Sequence, residues 1–195
     1  LDSAGNYTTN ATLSVNGSSL ISGTQNLSYL VDAESGDAMF RQTFQNTTVV
    51  QYTGGDTTYL RQSRGGNATY STTREPVNTT QAANLAGLAS ALGNVSYEEF
   101  GSATVDGAAV TQYEASGTEA VDLGNSGGNV TAFESTLAVA EDSGVIRSLS
   151  LTITIEREGQ AQRQDIEVTT SAVGSTTVPE PDWLDEAQEQ NQTAS

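Results

Sequence analysis

Carboxylates are the side chains of this sequence that could do chemistry, because histidine and cysteine are both absent. Without them the chain has no Ser-His or Cys-His catalytic pair and none of the usual transition-metal sites. The carboxylates form two small clusters, Glu98 with Glu99 and Asp182 with Asp185 and Glu186. Oxygen ligands suit Ca²⁺, but the spacing of these residues does not match an EF-hand loop. We therefore predict no metal site, no cofactor and no catalytic residue.

Two further carboxylate pairs, Glu34 with Asp37 and Glu114 with Glu119, invite comparison with a glycosidase. Such an enzyme holds two carboxylates on either side of the bond that it cleaves. A chain with 24 acidic residues contains many pairs of this kind by chance. These residues therefore predict a solvated surface, and we expect the protein not to be an enzyme.

All seven basic residues are arginines. Three of them, Arg147, Arg157 and Arg163, lie near the last predicted hairpin. We expect them to pair across the exposed face of that hairpin, since opposite charges on neighbouring strands attract. Docking of an anionic partner is the alternative. The acidic residues expected as their partners are Glu156, Glu158 and Glu167.

The net charge of −17 excludes some classes of partner. A chain this acidic is repelled by nucleic acid and by an anionic membrane surface. Disorder is disfavoured, because only 16% of the residues are charged and 35% are hydrophobic. Scattered carboxylates, arginine without lysine and few large apolar residues indicate adaptation to molar salt, which screens the repulsion between the carboxylates.

Asparagine occurs in an unusual pattern. Ten of the twelve asparagines stand in the Asn-x-Ser/Thr acceptor pattern for N-glycosylation, where the Ser and Thr content of about a quarter would give about three by chance. Thr-rich strands are the alternative source of such a pattern. We predict glycans and an exported, extracellular protein. The candidate sites are Asn6, Asn10, Asn16, Asn26, Asn46, Asn67, Asn78, Asn94, Asn129 and Asn191.

The sequence shows no apolar stretch that could span a membrane. Its first five residues resemble the end of a helix terminated by Gly5. We expect any export signal to lie upstream of Leu1.

Alternation of apolar and polar residues predicts a β-rich protein. In the clearest strand, 146–156, Leu149, Leu151, Ile153 and Ile155 alternate with Ser and Thr, so that one face is buried. The segment 117–128 is acidic and rich in glycine and is predicted to be a flexible loop. The predicted strands are 7–15, 25–33, 38–45, 48–52, 57–62, 68–74, 97–104, 108–115, 130–140, 146–156 and 163–172.

One segment has helical periodicity. Leu85, Leu88 and Leu92 recur at spacings of three and four after a capping residue at Asn78 or Thr79. We predict a helix over 78–92 that lies on the sheet with its leucines facing inward.

These elements predict a mainly β (α+β) fold, a single curved antiparallel sheet or half-barrel with a helix across its concave face. Residues 1–184 form one domain, and residues 185–195 are expected to be a polar, flexible tail. The apolar residues could line a cavity or simply pack as a core. The cavity candidates are Phe40, Phe44, Leu85, Leu88, Leu92, Leu149, Leu151, Ile153 and Ile155.

Nearly the whole chain resembles the haloarchaeal LolA-like lipoproteins of unassigned function, within the LolA/LppX-like superfamily. The most specific matches are Ser143-Gly144-Val145-Ile146-Arg147 in the hairpin 139–155 and the exit Val178-Pro179-Glu180-Pro181-Asp182-Trp183-Leu184. The other matching segments are the Tyr-Thr strand start in 1–9, the hairpins 29–40 and 54–59, the helix 74–92 and the Asp-Gly strand pair 105–113.

The resemblance implies a half-barrel with an apolar cavity and a non-enzymatic surface lipoprotein that binds or carries a lipid. It also implies a membrane anchor through a cysteine upstream of this chain. The alternative function is a glycosylated structural or interaction subunit of the cell envelope, a surface filament or a virus surface, with envelope proteins as partners.

Overall fold

A computed structural model describes residues 5–17, 22–73, 92, 95–121 and 128–193. Eleven strands account for most of these residues, and their bounds agree closely with the alternation in the sequence. They are β1 (Tyr7–Gly17), β2 (Gly23–Asp32), β3 (Asp37–Phe44), β4 (Thr47–Gly54), β5 (Thr57–Arg64), β6 (Asn67–Thr73), β7 (Glu98–Val105), β8 (Ala108–Ser116), β9 (Asn129–Ala140), β10 (Ile146–Arg157) and β11 (Gln160–Ser171).

All eleven strands belong to one antiparallel sheet in the order β6-β5-β4-β3-β2-β1-β11-β10-β9-β8-β7. The chain runs outward from β1 to the edge strand β6 and resumes at the opposite edge with β7, from which it returns to β11. Pairing of β1 with β11 joins the two halves. Since β6 and β7 do not pair with each other, the sheet is open and not closed into a barrel. The predicted mainly β fold is confirmed.

Tight turns join the strands. Asp106 and Gly107 both have positive φ, 51° and 77°, and so do Glu158 and Gly159, 52° and 76°. Two-residue turns with both central residues at positive φ match the right-handed twist of the strands that they connect. This geometry explains why glycine stands second in both pairs.

A helix, α1 (Leu184–Thr193), follows the last strand and packs against β5 and β6. The polar composition of 185–195 predicts a flexible tail. The structure instead forms a helix, because Leu184 and Ala187 fall on one helical face and are buried there beside Trp183. Neither described helical element is long and apolar enough to cross a membrane.

The predicted helix 78–92 lies outside the described residues except for Leu92. Within the predicted loop 117–128 the structure has a short 3₁₀-helix, Thr118–Ala120. Ala120 and Val121 are buried, and Val121 forms a β-bridge with Val95. Residues 122–127 lie outside the described part.

Candidate functional site

The strand register divides the apolar residues between the two faces of the sheet. We call the face that carries Leu149, Leu151 and Ile153 the ladder face, and the opposite face, on which α1 packs, the helix face. The pairing runs without register shifts from β11 to β6. Neighbours across strands share a face and successive residues alternate. In β4, Val49 therefore belongs to the ladder face and Val50 to the helix face.

At one end of the ladder face the apolar side chains form a cluster that we call the ladder cluster. Leu151 and Ile153 of β10 pack there with Phe133 of β9, and Leu92 lies against them. Four of the predicted cavity residues, including Leu92 at the described end of the predicted helix, thus meet in this cluster. Ile155 also packs against this cluster. The remaining buried members are Ala115, Ala120 and Val121.

Two apolar rows continue from the ladder cluster across the middle of the sheet. The first joins Leu149, Val168, Ala11 and Leu27 on β10, β11, β1 and β2. Ala11 and Leu27 are only partly buried, unlike Leu149 and Val168. The ladder face therefore carries apolar surface beyond its buried cluster. The second row joins Leu151, Ile166 and Leu13 on β10, β11 and β1.

The predicted pair Phe40 and Phe44 lies on the ladder face but not in the ladder cluster. Phe40 packs in a separate group with Tyr7 and Tyr29, whose rings lie 6.1 Å apart. Strand β3 is four strand spacings from β10, which is about 19 Å. The sequence placed these aromatic residues on the correct face but could not give this separation. Leu85 and Leu88 lie outside the described residues.

Polar groups in the ladder cluster are paired. The buried Ser135 hydroxyl donates to the Ser150 carbonyl at 3.1 Å, so the Tyr97 hydroxyl, 2.8 Å from Ser135 Oγ, donates to Ser135. Burial raises the pKa of Tyr97, and the hydrogen bond to Ser135 opposes this rise. A neutral tyrosine bound in this way suits an apolar environment.

Arg147 is a buried cation, contrary to the exposed position predicted for it. It was expected on an exposed face beside glutamates, yet only 8% of its surface is exposed. Its Nε is buried without a hydrogen-bond partner. Among the described residues no ion pair of Arg147 is found. A buried arginine without an acidic partner is rare, because an unpaired charge is costly to remove from water.

Arg163 pairs with a different residue than predicted. Its guanidinium donates to Asp165, two residues along β11, at 2.6 Å from Nη2 to Oδ1. This contact holds the pKa of Asp165 below its ordinary value. Side chains two apart on a strand share a face, so this local pair outcompetes the expected glutamates of neighbouring turns.

All of the candidate carboxylates except Asp37 are exposed. Glu98 and Glu99 lie exposed on the edge strand β7, and Glu114 is exposed on β8. Glu186 accepts a hydrogen bond of 2.5 Å from the Tyr70 hydroxyl, a contact that raises the pKa of Tyr70. In the described ranges no group of three or more acidic residues could hold a metal ion.

On the helix face, α1 covers the apolar side chains of β4 to β6. Trp183 and Ala187 are buried against Val50 and Tyr52, and the Trp183 ring lies 6.0 Å from that of Tyr70. Burial is the main cause that raises the pKa of Tyr52. Among the described residues the two faces of the sheet therefore differ, with a packed helix on one and partly exposed apolar rows on the other.

Next to α1 the helix face becomes polar. A depression of about 210 Å³ lies on β1 to β3. Two of the glycosylation candidates, Asn10 and Asn26, line it with exposed side chains, and Arg41 lies beside them. Asn6 differs, because its amide bridges two backbone segments through Thr176 and Ala33. The other candidates with described side chains, Asn16, Asn46, Asn67 and Asn129, are exposed, whereas Asn78, Asn94 and the Asn191 side chain lie outside the description.

The described residues place this protein among the mainly β proteins with one open antiparallel sheet, which a helix covers on one face. Its family follows from its sequence. The chain belongs to a family of unknown function, DUF7537, whose sequence model matches residues 1–187. The sequence has no match among curated proteins.

Several solved structures are similar to this fold. The lipoprotein LppX of Mycobacterium tuberculosis is 16% identical at a TM-score of 0.41, with 91% of this chain and 90% of LppX covered. LprF of Mycobacterium bovis is also 16% identical, at a TM-score of 0.44 and with the same coverage of both chains. A LolA superfamily protein of Nitrosomonas europaea is 9% identical at 0.27, with 93% of this chain and 90% of that protein covered.

Proposed function

We propose that this protein is a non-enzymatic extracytoplasmic protein that binds a lipid or another apolar ligand on the ladder face. The two apolar rows carry the proposal. Leu27, Leu13 and Ile166 are only partly buried in the centre of a large sheet. Apolar surface of this extent is costly in water and is typical of binding sites. A ligand tail lying on these rows would remove that surface from water.

The amino-acid composition supports an extracytoplasmic location and an environment of high salt concentration. Ten glycosylation acceptor patterns favour an exported chain. A net charge of −17, with arginine and no lysine, fits a surface that stays hydrated in molar salt. A lipid anchor upstream of Leu1 is part of the proposal and would hold the protein at the cell surface.

The alternative, a structural envelope subunit assembled through its sheet edges, has less support. Edge strand β7 begins with Glu98 and Glu99 and has a register shift between Glu99 and Gly101. Phe100 at this shift is 49% exposed. Charges and bulges at a strand edge oppose the addition of another strand.

Binding of the neutral fluorescent probe N-phenyl-1-naphthylamine tests the proposal. Leu27 and Leu30 form a matched pair, because both lie partly buried on β2 but on opposite faces. We expect Leu27→Asn to weaken probe binding about 10-fold, since it puts an amide into the apolar row. Leu30→Asn should leave binding unchanged. Equal effects of the two variants, or no probe binding by the unaltered protein, would contradict the proposed function.

A further inference from the structure

A row of buried polar groups borders the apolar rows on the ladder face. One step beyond Leu149, Val168, Ala11 and Leu27, each strand carries a buried residue with a polar group. These residues are Arg147 on β10, Thr170 on β11, Thr9 on β1 and Tyr29 on β2. The Thr9 and Thr170 hydroxyls lie 3.2 Å apart, which fixes the two strands side by side at this level.

Arg147 belongs to the ladder face in spite of a register shift between β10 and β9. That shift falls between Ile146 and Ser148. Ser148 pairs with Thr169 on the helix face, so alternation along β10 places Arg147, which is buried like Leu149, on the ladder face. The shift brings Ile146, which pairs with Val139, to that face as well. The guanidinium stem therefore continues the line of Leu149, Leu151 and Ile153 toward one end of the sheet.

Within the described part of the chain, the charge of Arg147 has no acidic partner. The chain has 24 acidic residues for seven arginines, yet no acidic side chain among the described residues pairs with this buried one. Its Nε remains a donor without an acceptor. An anionic oxygen at this position would gain charge-assisted hydrogen bonds and would offset the cost of the buried charge.

We propose that Arg147 binds the anionic headgroup of an amphiphile whose tail lies on the apolar rows. This inference rests on the proposed function and names the class of its ligand, a long-chain carboxylate or phosphate. The first apolar row, from Leu149 on β10 to Leu27 on β2, covers three strand spacings, about 14 Å, and borders Arg147 at one end. The cation and the apolar row thus match the two ends of such a ligand.

Competition against N-phenyl-1-naphthylamine tests the headgroup. Decyl phosphate, decanol and inorganic phosphate are compared as competitors, in salt that keeps the protein folded. We expect decyl phosphate to displace the probe at a concentration about 10-fold or more below that of decanol, and inorganic phosphate not to displace it. In Arg147→Gln this preference for decyl phosphate should disappear. Arg157→Gln, an exposed change of the same charge on the same strand, should keep it.

Melting temperatures separate a binding role of Arg147 from a structural one. Because its charge is unpaired, Arg147→Met should leave the melting temperature unchanged or raise it. A lower melting temperature would show that Arg147 holds the fold together and would overturn the proposal.

The other outcomes are also decisive. Equal competition by decyl phosphate and decanol would overturn the anionic headgroup and leave the proposed function intact. Displacement by inorganic phosphate at the concentration effective for decyl phosphate would overturn the amphiphile in favour of a simple anion site. Absence of probe binding in the unaltered protein would overturn both proposals.

Discussion

The helix face and the ladder face bury their apolar residues by different means. On β4 to β6, the Val50 and Tyr52 side chains are covered by α1, which follows the sheet in the sequence and returns to its edge. On β11, β1 and β2, Ile166, Leu13 and Leu27 lie at strand centres and stay partly exposed. Sheets that bury one face normally cover it with another element. Under the proposed function, the helix face serves stability and the ladder face combines stability with binding.

We expect the largest loss of stability for a change in the ladder cluster. Leu151→Ala leaves a cavity beneath Phe133 and Ile153 and should cost roughly 3–5 kcal/mol of unfolding free energy. Ser150→Ala on the other face should cost less than about 0.5 kcal/mol. Denaturant unfolding measures both changes. Similar losses in the two variants would show that the ladder cluster is not a core.

A smaller overall loss is expected on the helix face. Trp183→Ala removes the ring that packs on Val50 and Tyr70, but α1 packs mainly against β5 and β6 at one side of the sheet. We expect a loss of no more than about 3 kcal/mol, seen mainly as local release of α1. Hydrogen exchange should then rise in Leu184–Thr193 and stay low in β9 to β11. The exposed change Asp182→Ala is the control, and a uniform rise across the sheet would refute the separation of the two faces.

The smallest effect concerns the glycosylation candidates. The Asn6 side chain donates to the Thr176 carbonyl at 3.0 Å and accepts from the Ala33 amide at 2.9 Å. Asn6→Ala should therefore cost about 1–3 kcal/mol, whereas Asn10→Ala on the exposed helix face should be nearly neutral. Peptide mass mapping of the native protein should find sugar at Asn10 and an unmodified Asn6. A glycan at Asn6, or equal stability of the two variants, would contradict this assignment.

Local patterns predicted the strands and the face of the sheet on which several candidate cavity residues lie. Alternation in 146–156 predicted that Leu149, Leu151 and Ile153 share a buried face, because a strand has a side-chain period of two. The same rule put Phe40 and Phe44 on one face. It could not reveal that β3 and β10 lie four strands apart, since that depends on the pairing of β1 with β11.

Two errors have a common cause. Overall polarity predicts a tail at Leu184–Thr193, and only packing on β4 to β6 accounts for the buried residues of this helix. Arg147 was placed on an exposed face because its neighbours in sequence include charged residues. In both cases burial comes from partners far away in the chain, which local composition does not report.

The sequence by itself determined the strands, their turns and the absence of histidine and cysteine chemistry, since these follow from residue type and from spacings of a few residues. Only the tertiary structure decided which elements pack on each face of the sheet. Because β1 joins β11, the apolar rows cross the centre of the sheet, and the buried Arg147 borders the first of them at β10. That arrangement depends on long-range register, in which a shift of one residue would turn every side chain to the other face.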